Sequence, residues 1–284
     1  MNKILIFGVG LIGGSIALSA KKSGIASDIV GVGRNQDNLN DAIKLKLIDR
    51  TSQELNKDIA EAHIIIIATP VAQFSSILKT IQPHLSSHTI ITDVGSTKTS
   101  VIESAKEILG NQYSQFIGGH PIAGSEKHGA TAAHIDLFKG KNVILTPDQD
   151  TSPRAKEVIE VLWKNAGAIV SNMSHGDHDK IFSTISHLPH LLAFSLVDMI
   201  TQRTNANELL KFAASGFKDF TRIAASSPEM WKDITLANKK FILDDIKHFE
   251  NQIKLLKEAI EQEDAKKILA LFENASKTRS EWSR

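Results

Sequence analysis

One histidine in this chain lies among small residues, where a substrate and a cofactor could both approach its ring. His120 stands in the segment Gly118-Gly119-His120-Pro121, directly after an apolar run typical of a strand. Histidine has an unperturbed pKa of about 6.5, close to working pH, and is the usual general base of enzymes. Ligands of open α/β sheets collect at the carboxyl ends of strands, where His120 would lie. These features predict a catalytic base; a structural loop histidine is the alternative.

A second polar cluster is predicted on a helix in the other half of the chain. At 100° per residue, five polar side chains fall within an arc of about 100°, with apolar residues largely opposite. Pro189 would kink this helix and free a carbonyl group in the preceding turn, which favours a working site over a plain core helix. The five are Asp179, Ser183, Ser186, His187 and His190. Asp179 is interpreted as a partner that orients an imidazole, with an exposed carboxylate at the helix start as the alternative.

Two histidine pairs with three-residue spacing raise the question of a metal site. They are His175 with His178, and His187 with His190. The chain has no HExxH motif, no cysteine and no clear third carboxylate ligand, so we predict that no metal is bound.

Arg222 lies in a segment dense in Phe, Ala and Ile, which indicates that its charge has a specific partner. The guanidinium group suits a substrate carboxylate, but an ion pair with Asp219 or Glu229 is equally compatible with the sequence. Trp231 follows closely, and packing in the core is the commoner role for such a residue.

A glycine-rich turn near the N-terminus predicts a dinucleotide site. Gly8, Val9, Gly10, Leu11, Ile12 and Gly13 form a GxGxxG motif directly after a strand-like run and at the start of a helical pattern. In such motifs the first glycine allows the turn, the second lets the backbone approach a pyrophosphate, and the third lets helix and strand pack closely.

The end of the second predicted strand bears on the choice of cofactor. An acidic residue there binds the ribose 2′-hydroxyl of NAD, but this chain has Gly33 followed by Arg34. A guanidinium group suits a 2′-phosphate, so we expect NADP to be favoured, with NAD or dual use also possible. Alternatively, Arg34 is a solvated loop residue or stacks on the adenine.

These motifs need a scaffold that the rest of the sequence indicates. Short apolar runs alternate with amphipathic stretches in the first half, as in a doubly wound, mostly parallel α/β sheet. From about residue 152 the pattern becomes helical, with helices expected over 175–202, 207–222, 228–263 and 264–277. We predict a Rossmann-type domain over residues 1–170 and an all-α substrate-binding and dimerisation domain over 171–284.

Composition excludes several functional classes. The 284 residues carry a net charge of +1, which does not favour nucleic acid or anionic membranes as partners, and a small molecule is the expected one. The chain has no cysteine, so thiol chemistry is excluded. No apolar run is long enough to span a bilayer and the N-terminus leaves no room for a signal peptide, so a cytoplasmic location is expected.

Six blocks in order resemble the prephenate and arogenate dehydrogenases of tyrosine biosynthesis, across nearly the whole chain. They are GVGLIGGS from Gly8, ATPV at 68–71, TDVGS at 92–96, GGHPIAGSEKHG at 118–129, SHLPH at 186–190 and GFKDFTRIA at 216–224. The resemblance implies that a cyclohexadienol is oxidised at C4 by hydride transfer to a nicotinamide cofactor and loses its ring carboxylate as carbon dioxide.

The resemblance also implies roles for individual residues. His120 would accept a hydrogen bond from the C4 hydroxyl, Ser96 would hold hydroxyl, histidine and cofactor in register, and Arg222 would bind a substrate carboxylate. The other implied substrate contacts are His190, with His187 and Asp179 behind it, together with Glu126 and Trp231. Thr69, Pro70 and Val71 would line the cofactor cleft.

Two departures from the family pattern and two alternatives remain open. Many NAD-dependent members have Asp where this chain has Gly33, and some carry a further regulatory domain after the helices. The family forms dimers through the helical domain, so a homodimer is expected. The alternatives are another two-domain hydroxy-acid or imine oxidoreductase, and a nucleotide sensor that has lost its chemistry.

Overall fold

The computed structural model describes residues 2–125 and 127–282. The chain divides into two compact units, Met1–Asn238 and Lys239–Arg284. The sequence-based division into a Rossmann-type domain and a helical domain at residue 170 stays a prediction.

An eight-stranded sheet organises the first unit. Its strand order is β3-β2-β1-β4-β5-β6-β7-β8; β1 to β6 are parallel, β7 pairs antiparallel with β6, and β8 is parallel to β7. The strands are β1 (Asn2–Phe7), β2 (Ala26–Val32), β3 (Arg50–Thr51), β4 (Ile64–Ile67), β5 (Ile90–Asp93), β6 (Phe116–Pro121), β7 (Asn142–Thr146) and β8 (Ile169–Asn172). The order reverses between β1 and β4, which creates the crevice where open α/β sheets bind ligands.

Helices cover the sheet and continue after it. Those of the first unit are α1 (Leu11–Lys22), α2 (Gln36–Lys44), α3 (Leu55–Glu61), α4 (Phe74–Ile81), α5 (Thr99–Leu109), α6 (Pro153–Asn165), α7 (His175–Phe182), α8 (Leu188–Thr201), α9 (Ala206–Lys211), α10 (Ser215–Thr221) and α11 (Pro228–Ala237). The second unit consists of α12 (Lys239–Glu261) and α13 (Ala265–Trp282). The predicted fold class, a Rossmann-type sheet followed by a helical region, is confirmed.

Two hydrophobic clusters lie on opposite faces of the sheet because successive strand residues alternate sides. Ile4 and Ile6 belong to one cluster, and Leu5 and Phe7 belong to the other. The run Ile64–Ile67 divides in the same way, and all four side chains are buried. The continuous apolar runs therefore indicated strands covered on both faces.

The structure corrects several details of the helical prediction. The stretch 207–222 is two helices rather than one, and the stretch 228–263 is interrupted at Asn238. Strand β3 was not predicted because its two residues are polar and carry no apolar signal. No helix within residues 2–125 and 127–282 is long and apolar enough to cross a membrane.

The predicted kink at Pro189 takes the form of a widened turn. Residues Ser183–His187 form a π-helical turn between α7 and α8, just before the proline, which lacks an N–H group to donate. Asp179, Ser183 and His187 on the polar face are buried, whereas Ile181 and Ile185 are exposed. The polar face of this helix therefore points into the unit.

Candidate active site

A cavity of about 680 Å³ opens at the carboxyl ends of the parallel strands. Its wall combines the start of α1 with the segments that follow β4 and β5, the end of β6, and parts of α7, α8 and α11 with their connecting turns. The lining residues with predicted roles are Gly10, Leu11, Ile12, Thr69, Pro70, Val71, Ser96, His120 and His190. The order reversal of the sheet thus places the glycine motif and the histidine segments around one space.

The glycine turn is shaped by close backbone contacts. Gly8 has φ +91°, and a Cβ there would lie 2.6 Å from the carbonyl oxygen of Ala68. A Cβ at Gly13 would overlap the carbonyl oxygen of Gly8. Asn38 donates from Nδ2 to the carbonyl oxygen of Val9 at 2.7 Å and accepts from Ala130 N at 2.7 Å. These two hydrogen bonds connect the glycine turn to the segment around Ala130.

The features around this turn fit a dinucleotide. Gly10, at the N-terminus of α1, has no heavy atom within 4 Å of the position a Cβ would take, so a ligand can reach the backbone. The first N–H groups of a helix lack intrahelical partners and bind anions such as phosphate. The buried Oγ1 of Thr69, on the cavity wall, has no hydrogen-bond partner in the described part of the chain.

The end of β2 lies beside the turn, since Gly8 N donates to the carbonyl oxygen of Val32 at 2.8 Å. Gly33 and Arg34 follow, and both are exposed. Neither lines the cavity, and Arg34 makes no ion pair with a described residue. A Cβ at Gly33 would only be in ordinary contact with Leu39, at 3.4 Å, so the absence of an acidic side chain is not imposed by space.

His120 lies at the end of β6 on the cavity wall and contacts two rings of α7. Its Nδ1 is 2.8 Å from Nε2 of His178, and the Phe182 ring lies edge-on with a centroid separation of 4.9 Å. Burial lowers the pKa of His120 well below 6.5, and His178, Lys98 and His187 lower it further. His120 is therefore neutral at pH 7, as a base must be.

Asp179 links α7 to the start of α5. Its Oδ1 accepts from Lys98 N at 2.7 Å and lies 2.8 Å from Nδ1 of His178, and its Oδ2 accepts from Thr99 N at 2.8 Å. Burial favours a raised pKa for Asp179, but these hydrogen bonds outweigh it and hold the pKa below 3.8. The carboxylate is thus charged, fully buried, and occupied by protein partners.

A buried ion pair holds the backbone next to His120. Lys98 Nζ contacts Asp93 Oδ2 and donates to the carbonyl oxygen of Gly119 at 2.8 Å, while Asp93 Oδ1 accepts from Gly119 N at 3.1 Å. Both polar groups of Gly119 are therefore fixed by one pair of side chains. Burial lowers the pKa of Lys98 although Asp93 acts to raise it.

His190 and His187 occupy different depths. His190 lines the cavity, stacks on Trp231 with a centroid separation of 3.8 Å, and its Nδ1 is 2.8 Å from the carbonyl oxygen of Ser186. His187 is buried behind it and accepts from Asn238 Nδ2 at 3.0 Å. Burial lowers the pKa of His187 to about 4. Trp231 is buried and stacks on His190, and it does not line the cavity.

Arg222 begins the turn after α10 and does not line the cavity. Among described residues it has no ion pair with Asp219 or Glu229. Burial lowers the pKa of His190, and the positive charge of Arg222 lowers it further. Glu126 lies outside the described residues.

Comparisons with known proteins decide the family. Residues 16–172 match the family model described as the prephenate dehydrogenase nucleotide-binding domain, and residues 174–274 match its dimerization domain. The chain belongs to the prephenate dehydrogenase family.

Individual relatives agree with this assignment. A prephenate dehydrogenase of Bacillus subtilis is 43% identical over 96% of this chain and 74% of that protein. A cyclohexadienyl dehydrogenase of Zymomonas mobilis is 33% identical over 97% of this chain and 94% of that protein. The crystal structure of a prephenate dehydrogenase from A. aeolicus, in complex with hydroxyphenyl propionate and NAD+, has a TM-score of 0.92 at 37% identity and covers 99% of this chain and 98% of that one.

In this member of the prephenate dehydrogenase family, the structure also brings forward residues that sequence reasoning missed. His178, Lys98, Asp93 and Asn38 all contact predicted site residues. The sequence indicates His178 only as a possible metal ligand. Within residues 2–125 and 127–282, no group of three or more His, Asp or Glu residues is placed to hold a metal ion. The position of Lys98 in the segment TDVGSTK, between a strand and a helix, was the one signal available.

Proposed function

We propose that this chain catalyses the oxidative decarboxylation of prephenate, or of its amino analogue arogenate, with hydride transfer to a nicotinamide cofactor. The observation that carries this proposal is the neutral His120 on the wall of a cavity that begins at a dinucleotide-type glycine turn. Membership of the prephenate dehydrogenase family supplies the substrate class.

The reaction balances without a further co-reactant. The bound nicotinamide supplies the acceptor for the hydride that leaves C4. The bond between the ring and its carboxylate breaks to release carbon dioxide, and its electron pair enters the ring, which becomes aromatic. The C4 oxygen keeps its proton in the phenol product, so a base needs only to draw on that proton while the C4–H bond breaks.

Residues of this protein supply the base that acts on the C4 hydroxyl, and they orient the substrate and the cofactor. His120 accepts the hydrogen bond of the C4 hydroxyl, which raises electron density at C4; such assistance is worth about 10² to 10⁴-fold in rate. Ser96, at the carboxyl end of β5, holds the hydroxyl and the cofactor in register with His120. Arg222 binds a substrate carboxylate, for which its lack of an ion pair with a described residue leaves it available. His190, fixed by Trp231, contacts the substrate ring.

The cofactor preferred is NADP, with NAD accepted. No acidic side chain follows β2, and the exposed Arg34 offers a cation for a 2′-phosphate. The A. aeolicus relative binds NAD+, which fits a site able to take either cofactor. Gly8 to Gly13 hold the pyrophosphate, and Thr69 to Val71 line the remainder of the cofactor cleft.

The working form is a homodimer, and the location is the cytoplasm. The match of residues 174–274 to a dimerization domain supports the dimer. Large apolar side chains on the helical part are exposed in the single chain, including Phe212 and Phe220, as expected of a surface that a second copy covers.

The testing experiment measures the initial rate of reduced-cofactor formation. Purified protein receives prephenate or arogenate, each with NADP and NAD in parallel, and product is identified as hydroxyphenylpyruvate or tyrosine. Turnover is expected, faster with NADP. Cofactor binding without turnover on either substrate would favour a nucleotide sensor, and turnover on another hydroxy acid would favour a different oxidoreductase.

A variant tests the carboxylate contact. Arg222→Ala should raise KM for the substrate by about 10-fold or more, because a charge-assisted hydrogen bond contributes about 1.5–3 kcal/mol, while kcat changes less. An unchanged KM would return Arg222 to a structural role.

A further inference from the structure

His178 is the residue that the proposed reaction leaves without a role, although it touches the base. It is fully buried on α7, between Asp179 on one side and His120 on the other. The two ring nitrogens of His178 each have one partner, at 2.8 Å in both cases. A chain Asp179–His178–His120 therefore runs from the start of α7 to the cavity.

The positions of the protons along this hydrogen-bonded series follow from Asp179, at its buried end. Asp179 is ionised and can only accept hydrogen bonds, so Nδ1 of His178 must carry the proton that is shared with Oδ1. Burial lowers the pKa of His178, so its ring is neutral and Nε2 must be an acceptor. Nδ1 of His120, 2.8 Å away, must then be the donor.

The remaining nitrogen of His120 is thereby determined. With the proton of the neutral ring fixed on Nδ1, Nε2 carries the free lone pair. A general base needs that lone pair on the nitrogen that meets the substrate hydroxyl. The tautomer of His120 is thus set by a carboxylate that it does not touch.

We propose that His178, held by Asp179, is a positioning residue that keeps His120 in the Nδ1–H tautomer and orients its ring for the reaction. The proposal rests on the proposed base role of His120. It also extends the sequence-based interpretation of Asp179 as the partner of an imidazole: the imidazole that Asp179 contacts is His178, which in turn contacts His120. When His120 draws on the substrate proton, the positive charge that develops on its ring is shared along the chain toward the carboxylate.

Two substitutions at His178 separate positioning from packing. In His178→Gln the amide oxygen can still accept from His120 Nδ1, whereas His178→Leu fills the space without an acceptor. We expect His178→Leu to lower kcat by about 10² to 10³-fold and His178→Gln to recover about 10-fold of that loss, with KM and cofactor affinity little changed, because an orienting partner acts on the base and not on binding. Equal losses in both variants, or full activity in His178→Leu, would overturn the proposal.

Asp179→Asn tests the other end of the chain. An asparagine is uncharged and carries an N–H donor in place of one carboxylate oxygen, so the proton is no longer required on Nδ1 of His178 and the tautomers of both rings are released. We expect a fall in kcat of up to about 10⁴-fold, the size seen when an orienting carboxylate of this type is removed. Asp177→Asn is the matched control, because Asp177 is an exposed carboxylate on the same helix that contacts only Ser174 among the hydrogen-bond partners observed; it should keep full activity.

A spectroscopic measurement gives the answer without turnover. Nitrogen-15 NMR of histidine-labelled protein, with the His120 signals assigned by their loss in His120→Asn, reports which ring nitrogen carries the proton. We expect Nδ1–H in the wild type and a shift toward Nε2–H in Asp179→Asn. Nε2–H in the wild type would overturn the positioning role. Nδ1–H in a folded protein that turns over neither substrate would instead overturn the proposed function alone.

Discussion

The two ends of the cavity are built from different parts of the chain. The proposed cofactor end is made of backbone: Gly8, Gly10 and Gly13 shape a turn whose open side faces the cavity. The proposed catalytic end is made of side chains from separate segments, with His120 on β6 held by His178 on α7 and its neighbour Gly119 held by the Lys98–Asp93 pair. The first end therefore depends on space, and the second depends on protonation.

This difference determines which changes each end tolerates. At the cofactor end, an added methyl group is enough to displace a backbone contact, while charges nearby only adjust which nucleotide is preferred. At the catalytic end, a change of nearly equal volume that alters a proton donor or acceptor should remove turnover and leave binding intact. Each of the following experiments acts on one end and measures whether the other is unaffected.

Replacing the base should give the largest effect. His120→Asn should lower kcat by about 10² to 10⁴-fold, because the ring nitrogen that draws on the substrate proton is lost. Cofactor affinity, measured by fluorescence titration, should stay within about twofold since the glycine turn is untouched. His84→Asn, in the 3-10 turn that follows α4 and outside the cavity lining, serves as a control that keeps full activity. Retained activity in His120→Asn would end the assignment of the base.

Acid should first destabilise the fold through the histidines whose pKa burial lowers, most of which lie at the proposed catalytic end. Burial lowers the pKa of His187 to about 4, so the unfolded chain takes up a proton first as the pH falls below 6.5. Stability conferred by the neutral ring is therefore lost progressively between about pH 6.5 and 4, and a shift of this size corresponds to about 3 kcal/mol. His120, His178 and His190 have lowered pKa values and act in the same direction.

Urea unfolding at pH 7, 5.5 and 4.5 checks this expectation. Carboxylates with lowered pKa values, such as Asp58 and Asp148, lose their stabilising effect mainly as the pH falls below the pKa of an unfolded Asp, about 3.9, so the change between pH 7 and 4.5 reports chiefly the histidines. His187→Asn should show a shallower loss of stability with acid, whereas the exposed His248→Gln should match the wild type. The same slope in His187→Asn and the wild type would contradict this account.

A methyl group at the glycine turn should impair the cofactor end alone. Gly8→Ala combines a φ of +91° with a Cβ only 2.6 Å from the carbonyl oxygen of Ala68, so the turn must shift. We expect cofactor Kd to rise by about 10-fold or more. Gly24→Ala has φ +70° but open space around its Cβ, so it should cost only the backbone strain of about 1–2 kcal/mol and leave Kd unchanged. Equal cofactor affinity in the two variants would contradict the steric argument.

The difference between the two ends of the cavity also explains which features could be predicted from the sequence. The glycine motif, the buried strands and the His120 segment are local patterns, and a single stretch of chain is sufficient to recognise each of them. The partner of His120 is not local: its contact with His178 spans 58 residues and depends on how α7 packs against β6. On an ideal helix His178 lies about 80° outside the polar arc, so the projection that grouped Asp179, Ser183 and His187 left it out. The sequence does not distinguish Lys98 from other basic residues, because its hydrogen bond to the carbonyl oxygen of Gly119 depends on how the chain folds.

The smallest of these effects is expected at the end of β2, where a change of charge should alter the preference for NADP over NAD. Arg34→Ala should weaken NADP about 10-fold while NAD changes less than twofold, because the 2′-phosphate loses a charge-assisted partner. Lys22→Ala removes an equal charge at the far end of α1 and should change neither affinity. Gly33→Asp should reverse the preference toward NAD, since its Cβ meets Leu39 only at ordinary contact distance and the new carboxylate can bind a ribose hydroxyl and repel a phosphate. Equal losses of NADP and NAD in Arg34→Ala would show that this side chain stacks on the adenine. The cofactor end would then discriminate by space alone, and the contrast with the catalytic end would be sharper.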